Sequence, residues 1–355
     1  MKQPGFITQL LHDLQRVPVD VRARVNSLSG FHEQILLRAL LDPKDVSVTT
    51  FSSVPDGYVG FCHDEHDHCG QLGSEALDKQ KVAYLINACE QKIEPGKPDA
   101  LARIPKLSMS LLTLKLFQAV GNGPVWIATT PSFLKDIKQH VLSHVGIDFN
   151  RVHFFEVHEA YQLSPDNRLI FNGEDVSLHG CGMGDLLTRL SDEPTYREFI
   201  EKGGKHVFAV DSNNVFASLD PVIIGNHIES KKKVTCEVVK RKQSEEGSVV
   251  VEAFEGIRLV DMRRIFETST NDYTWMCTNS YVFDTDIDVD RISAEWCRTQ
   301  VKQHNNVLIR YQKFFDELTK NYDTNYIGVD RQERFLQIND SADVAALEKI
   351  VNIDL

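Results

Sequence analysis

The amino-acid sequence predicts an α/β fold with a mixed, mainly parallel sheet and helices on both of its faces. The first observation is the continuous hydrophobicity of residues 81–88 (KVAYLINA) and 206–210 (HVFAV), which is typical of strands that are covered on both faces. The second is that further apolar runs alternate with segments of helical spacing, as in strands joined by helical crossovers. We therefore expect residues 81–88 and 206–210 to form central strands.

The N-terminal part of the chain is predicted to be helical. Between positions 5 and 45, apolar residues recur at helical spacing, for example at Phe6, Leu10 and Leu14. Residues 46–75 show no regular pattern. We expect a helical N-terminal extension over residues 1–75, with a protein partner binding through its helices, and an α/β domain over residues 76–355.

Further strands and helices are predicted along the α/β domain. Its first half contains candidate strands and helices that alternate, over residues 124–130, 132–144, 152–157, 168–172 and 184–203. Its second half has three short strand patterns that we interpret as an antiparallel meander, then a longer strand and a helical region, over residues 234–240, 248–254, 256–261, 275–283 and 290–322.

Composition excludes several classes of partner. The formal net charge of -12 makes nonspecific binding of nucleic acid or of anionic lipid unfavourable. No apolar run approaches the roughly 18 residues of a membrane span. The seven cysteines are scattered and odd in number, which favours a reducing compartment over a disulfide framework. We therefore expect a soluble, cytoplasmic protein with no nucleic-acid or membrane partner.

The most informative stretch is the strand and turn at residues 205–228. Asp211, Asn213 and Asn214 follow the apolar run 206–210, and Asp220 and Pro221 then mark a helix start. Ligands of parallel α/β sheets bind at the carboxyl ends of strands. A carboxylate and two carboxamides there suit a metal, a ribose or a phosphate, but the same residues also suit an Asx-rich turn that caps a helix.

One other cluster has the residue types of a metal site. Residues 62–69 read CHDEHDHC, and cysteine and histidine are zinc ligands. The spacing is not that of a standard zinc motif, and a solvated loop explains it more simply.

Several segments, in the same order along the chain, resemble one enzyme family. They are Asp220-Pro221 after an apolar run, CGMGD at residues 181–185, WMCTNS at residues 275–280 and VDRQERFL at residues 329–336. The chain from about residue 70 to residue 346 thus resembles the UDP-sugar pyrophosphorylases, the uridylyltransferases that join UTP to a sugar 1-phosphate. The resemblance implies a Rossmann-like nucleotide-diphospho-sugar transferase fold that binds a nucleotide or nucleotide-sugar.

The resemblance also implies roles for individual residues. Gly182, Gly184 and Asp185 match the family turn whose backbone reads the uracil edge, where glycine allows a planar base to approach the main chain. Asn214 and Asn279 match positions of the sugar site.

The implied metal site departs from the family pattern. The metal-binding Asp of the family falls on Asn213, and Asp211, two residues earlier, is the remaining candidate ligand for Mg²⁺.

The largest departure follows the first central strand. The family has a Gly-Gly-x-Gly-Thr loop there, whose backbone N–H groups surround the triphosphate. This chain instead reads ACEQKIEPGKPD over residues 88–99, with a single glycine and two glutamates. Lys97, Lys106 and Lys240 are the candidate phosphate-binding, catalytic residues, whereas the late phosphate Lys of the family falls on Asn339.

Three functions are consistent with these residues. The protein is a uridylyltransferase with a rebuilt site, a non-catalytic relative that binds nucleotides or serves as a scaffold, or a transferase of different chemistry in the same cleft. The missing loop favours weak or lost uridylyl transfer, and the glycine turn favours retained nucleotide binding.

Overall fold

The computed structural model describes most of the chain. The described residues are 5–28, 51–55, 57–61, 67–94, 96–104, 107–144, 146–243, 245–265, 273–289, 296–303 and 306–350. Most of the CHDEHDHC segment and Lys106 lie outside them. Within the described part, no helix combines the length and apolar composition needed to span a bilayer.

The strands of the described residues are numbered in chain order. They are β1 (Ser52–Ser53), β2 (Gly60–Phe61), β3 (Val82–Asn87), β4 (Arg103–Ile104), β5 (Met109–Ser110), β6 (Val125–Thr129), β7 (Val152–Glu156), β8 (Glu159–Tyr161), β9 (Phe171–Asn172), β10 (Asp175–Val176), β11 (Leu178–Gly180), β12 (His206–Asp211), β13 (Val234–Lys240), β14 (Ser248–Ala253), β15 (Gly256–Asp261), β16 (Trp275–Asp284), β17 (Cys297–Gln303), β18 (Asn306–Gln312) and β19 (Thr324–Gly328).

The helices are numbered in the same way. They are α1 (Gly5–Arg16), α2 (Val19–Leu28), α3 (Asp67–Asp78), α4 (Leu111–Gln118), α5 (Leu134–Leu142), α6 (Met183–Asp192), α7 (Pro194–Glu201), α8 (Pro221–Ser230), α9 (Glu317–Asn321), α10 (Arg331–Arg334) and α11 (Ser341–Ile350).

The central sheet has the order β2-β19-β13-β16-β12-β3-β6-β7. Along this path the pairings are parallel except those that β16 makes with β13 and β12. The two apolar runs form β12 and β3, which pair in parallel at the centre. The prediction of a mixed, mainly parallel sheet with these two strands inside is confirmed.

Helices cover both faces of this sheet because both faces are apolar. Tyr84, Ile86 and Phe208 belong to one cluster of buried side chains, to which α3, α4, α5 and α8 contribute. The alternate residues, such as Leu85 and Val207, belong to a second cluster with α6, α7 and α9. A strand whose successive side chains are all buried in this way must lie inside the sheet.

The first two helices pack onto a smaller unit built around β8, β11 and β18. Leu10 and Leu14 are buried in a cluster with Tyr161 and Ile309. The buried Asp13 carboxylate accepts two hydrogen bonds from Arg168, at 3.0 and 3.1 Å. A protein partner for the N-terminal helices stays a prediction.

Two predicted elements are divided differently in the structure. The single helix expected over residues 184–203 is two helices, since α6 ends at Asp192 and Pro194 begins α7. The expected meander is limited to the β14–β15 hairpin, because β13 pairs instead with β16 and β19.

The helical prediction for residues 290–322 is wrong over its described part. Cys297–Gln303 and Asn306–Gln312 pair as an antiparallel hairpin, and only the five residues of α9 are helical. Cys297 and Thr299 are buried while the residues between and after them are less so. This period of two is the signal of a strand.

Helices α3 and α8 approach each other through glycine. A Cβ atom added to Gly73 would lie 1.8 Å from the carbonyl oxygen of Pro221, and one added to Gly225 would lie 1.7 Å from that of Cys69. At Gly70, one turn earlier on α3, the nearest atom would be a Val222 methyl at 3.8 Å. Backbone atoms cannot yield as side chains do, so two of these glycines fix the helix spacing.

We expect Gly73→Ala to lower the free energy of unfolding by about 1–3 kcal/mol or more, because the added methyl forces the helices apart. The matched control is Gly70→Ala, which should be neutral or stabilising by up to about 1 kcal/mol, because alanine favours the helix. Urea denaturation of both variants measures this difference. Equal stability of the two variants would contradict the close approach.

Candidate functional site

A large cleft opens at the carboxyl ends of the central strands. Its volume is about 1890 Å³, and its lining includes Glu90, Lys92, Gly182, Asp211 and Asn279. This is where parallel α/β sheets bind ligands. The sheet order therefore brings three sequence-predicted site residues, Gly182, Asp211 and Asn279, to one cavity.

Asp211 forms the polar floor of the cleft. It pairs with Asn87 in the parallel register of β12 and β3, and the Asn87 amide donates to its carboxylate at 2.6 Å. Asn279, which has a left-handed φ of +59° within β16, also hydrogen-bonds to it. Burial first, and then the charge of Glu90, raise the pKa of Asp211 to about 6.

Glu90 is the second carboxylate of the cleft, and it behaves in the opposite way. Burial alone would raise its pKa, but the charges of Lys92, Arg310 and Arg263 lower it to about 2. The Lys92 ammonium lies 3.2 Å from the Glu90 carboxylate. Near pH 6, therefore, Glu90 is ionised and Asp211 is the group that exchanges a proton.

The oxygen donors on the cleft floor fit a hard divalent cation. Asp211 offers a carboxylate and Asn279 an amide, which are ligand types that Mg²⁺ uses. The raised pKa of Asp211 indicates that the surrounding protein groups do not fully stabilise its negative charge. A bound cation would supply that compensation.

The glycines of the CGMGD turn are explained by close packing of backbone. Gly182 has a φ of +87°, and a Cβ there would lie 2.5 Å from the Lys313 carbonyl oxygen. At Gly184 the distance to the Phe314 carbonyl oxygen would be 2.7 Å. Gly182 and Met183 line the cleft, whereas Gly184 does not. A side chain at Gly184 would therefore disturb the fold itself.

Asp185 lies behind the cleft. Its fully buried carboxylate accepts hydrogen bonds from the backbone and ring nitrogens of His158, each at 2.9 Å, and lies 3.5 Å from the Lys313 ammonium. These contacts give it a structural role, anchoring α6 to the segment after β7. The nucleotide-binding role of Asp185 stays a prediction, and its carboxylate is already occupied by these contacts.

Asn214 also has a structural role. Its amide nitrogen donates to the Thr278 and Arg334 carbonyl oxygens, and its amide oxygen accepts from the Leu336 backbone N–H. It is buried and does not line the cleft. The sugar-binding role of Asn214 stays a prediction, and of the two predicted sugar residues Asn279 is the one that lines the cavity.

Two of the three predicted phosphate-binding lysines, Lys97 and Lys240, lie outside the lining of the cleft. Lys97 is 67% exposed and pairs with Glu94, three residues earlier in the chain. Lys240 is exposed at the end of β13, where its carbonyl oxygen accepts from Arg331. Neither lines the cavity, in contrast to Lys92, Lys242 and Lys313.

The segment after β3 satisfies its backbone donors internally. The backbone N–H groups of Lys92 and Ile93 both donate to one oxygen of the Asp99 carboxylate, at 2.7 and 2.8 Å. Burial raises the pKa of Asp99 to about 6. A carboxylate of the chain thus occupies donors that a phosphate-binding loop would offer to its ligand.

Sequence reasoning missed several residues of the site. Asn87 could have been predicted from the sequence. It is a polar residue at the end of an apolar strand, and the neighbouring parallel strand ends in Asp211, so both residues must lie at the same edge of the sheet. Lys313 and Arg310 could not be predicted, because the segment that bears them was interpreted as helical. Arg263, which holds Asp261 at 2.6 Å, gave no local signal.

We expect Asp211→Asn to become progressively more stabilising, relative to wild type, as the pH rises from about 4 to about 6. Since the folded-state pKa is raised, native wild type binds this proton more tightly than the unfolded chain does and loses stability across that window. The variant lacks this loss, so the difference in free energy of unfolding should grow by about 1–3 kcal/mol. The contribution of Asp99 to the pH dependence is the same in both proteins, so it cancels in the difference.

Urea denaturation at several pH values measures this difference. Asp192→Asn, at an exposed position on α6, is the matched control and should follow the wild type. A difference that is independent of pH would contradict the burial of a protonated Asp211.

The comparisons with known proteins agree with this architecture. Residues 130–348 match the family model of UTP–glucose-1-phosphate uridylyltransferase. A comparison with curated protein sequences found no significant match.

Solved structures share the fold at low sequence identity. The UDP-N-acetylglucosamine pyrophosphorylase from Trypanosoma brucei, in complex with an inhibitor, is 16% identical with a TM-score of 0.68, covering 98% of this chain and 82% of that one. The UDP-glucose phosphorylase of the same organism is 14% identical with a TM-score of 0.68, covering 97% and 79%. A point mutant of UDP-glucose pyrophosphorylase from Leishmania major, in complex with UDP-glucose, is 13% identical with a TM-score of 0.64, covering 97% and 79%.

The family match spans more than half of the chain, and the fold agrees over nearly all of it. The protein therefore belongs to the UTP–glucose-1-phosphate uridylyltransferase family.

Proposed function

We propose that the cleft binds a uridine nucleotide or nucleotide-sugar, and that standard uridylyl transfer is weak or lost. The supporting observation is that one cavity is lined by the Gly182 turn, Asp211, Asn279 and Lys92. The backbone at Gly182 lies against the base, Asn279 contacts the sugar and Lys92 faces the phosphates. The solved relatives include a complex with UDP-glucose, which is consistent with this choice of ligand.

The proposed metal is Mg²⁺, bound by Asp211, with the Asn279 side chain beside it. Such an ion neutralises phosphate charge and orients the phosphates. The protein supplies the Asp211 carboxylate, which is held in place by Asn87. It also supplies the nearby Glu90 carboxylate, which remains ionised at neutral pH.

Weak transfer is proposed because the groups that stabilise a triphosphate are already occupied. The Lys92 and Ile93 backbone donors bind Asp99, and the Lys92 ammonium pairs with Glu90. Phosphoryl-group transfer depends on positioning and charge neutralisation. Asn339 lines the cleft where the resemblance implies a phosphate Lys, and an uncharged amide does not replace that charge.

A transferase of different chemistry in the same cleft is the second candidate. It is favoured by the contrast between Glu90 and Asp211, whose pKa values of about 2 and about 6 give one permanent carboxylate and one proton carrier. Carboxylates separated in this way serve acid–base chemistry near neutral pH. This candidate would be favoured if the protein consumed a UDP-sugar when no pyrophosphate is supplied, and if Asp211→Asn lowered the rate of that reaction.

We expect calorimetric titration to show binding of UTP or UDP-glucose in preference to CTP and ATP. Lys92→Ala should weaken binding about tenfold, the equivalent of about 1.4 kcal/mol. Lys97→Ala is the matched control, because Lys97 is exposed outside the cleft, and its affinity should remain that of wild type. Absence of binding for every uridine ligand would overturn the proposal and favour a scaffold role.

We expect pyrophosphate release from UTP and a sugar 1-phosphate to stay well below about 1 per second, a low value for ordinary enzymes. The assay covers several sugar 1-phosphates with Mg²⁺ or Mn²⁺. Faster turnover would refute the loss of transfer. In that case Asp211→Asn should abolish turnover if Asp211 binds the metal, and an unaffected rate would place the metal elsewhere.

A further inference from the structure

Two histidines and an aspartate meet at the end of the sheet opposite the cleft. His206 begins β12, Asp284 ends β16 directly opposite it, and His227 projects from α8. His206 Nδ1 lies 2.8 Å from Asp284 Oδ1, and His227 Nε2 lies 3.0 Å from the same oxygen. All three donor atoms lie within 4.8 Å of one another.

We propose that His206, His227 and Asp284 form a binding site for a divalent transition-metal ion, with zinc as the best match. Zinc binds imidazole nitrogen and carboxylate oxygen at about 2.0–2.2 Å in tetrahedral geometry. Tetrahedral bonds of that length separate neighbouring ligand atoms by about 3.3 Å. The observed separations of 2.8 and 3.0 Å need to open by only a few tenths of an ångström.

The surroundings orient these ligands as metal sites require. His227 Nδ1 lies 2.9 Å from Thr235 Oγ1, which fixes the ring so that Nε2 faces the other two ligands. The second oxygen of Asp284 accepts from Lys233 at 3.1 Å. Outer contacts of this kind hold the rings and carboxylates of metal sites in position.

The local charge also suits a cation. Lys233 is the nearest cationic side chain among these contacts, and its ammonium contacts both oxygens of Asp286 at 2.7 Å. The two carboxylates therefore outnumber the one ammonium. Two nitrogen donors favour zinc or a neighbouring transition metal over Mg²⁺ and Ca²⁺, which prefer oxygen ligands.

The site is open to solvent and lies far from the cleft. The His227 side chain is 1% exposed, but those of His206 and Asp284 are 16% and 22% exposed, so an ion can enter from solvent. From His206 to Asp211 the strand rises about 3.3 Å per residue, roughly 16 Å in all. The site is thus distinct from the nucleotide cleft, and a bound ion would link α8 to β12 and β16.

The test is zinc titration of the full chain after removal of metal by dialysis against a chelator, with a chromophoric chelator as competitor. Wild type should bind zinc at this site and gain thermal stability, with Mg²⁺ unable to compete. His206→Gln and Asp284→Asn should each weaken affinity by at least about 100-fold, since even outer contacts are worth 10- to 100-fold. Thr235→Val should weaken affinity about tenfold.

His158→Gln is the matched control, because it removes an imidazole from a His–Asp pair that has no second histidine within the described part of the chain. It should leave zinc affinity unchanged. Circular dichroism establishes that each variant is folded, and the tetrahedral absorption bands of bound Co²⁺ should disappear in His206→Gln. Zinc binding that is unaffected by both His206→Gln and Asp284→Asn would place the ion elsewhere, residues 62–69 included, and would overturn the proposal. Absence of zinc binding by wild type would overturn it as well.

Discussion

The parallel pairing of β3 with β12 is the constraint on which both candidate sites depend. Its register sets Asn87 beside Asp211 at the carboxyl end of the strands and His206 beside Val82 at the amino end. Because the strands are covered on both faces, a slip by one residue would place every buried side chain on the wrong face. The Asn87–Asp211 hydrogen bond is therefore fixed by the hydrophobic core and not by local turn chemistry.

The sequence predicted the parts of this arrangement that depend on continuous hydrophobicity. Residues 81–88 and 206–210 were identified as central strands because strands of that composition are covered on both faces, and Asp211 follows directly from the second. The helix start at Asp220 is also observed, since its side chain accepts from the Val222 backbone N–H at 2.8 Å. Local signals of this strength need no tertiary information.

The rest of the site depends on contacts between distant segments, which a single sequence does not encode locally. Asn214 has the residue type of a ligand, but the backbone groups of Thr278 and Leu336 occupy its amide. The glycines of the CGMGD turn match a base-binding motif, yet the chain at residues 313–314 also requires them. A motif identifies residues under constraint without distinguishing ligand contact from packing.

Asp99 occupies two backbone donors of the segment after β3 that could otherwise bind an anion. An external phosphate must lose translational freedom when it binds the Lys92 and Ile93 amides, whereas a carboxylate on the same chain has already lost most of it. To bind a phosphate at these donors, the protein must first release Asp99, and the released carboxylate would then repel the phosphate. The raised pKa of Asp99 shows that burial is unfavourable for its charge, so the two amides are worth most to the protein when they compensate that charge. The segment is thus stabilised in a form in which these two amides do not bind phosphate, so a triphosphate that enters the cleft lacks the backbone cradle that a glycine-rich loop would provide.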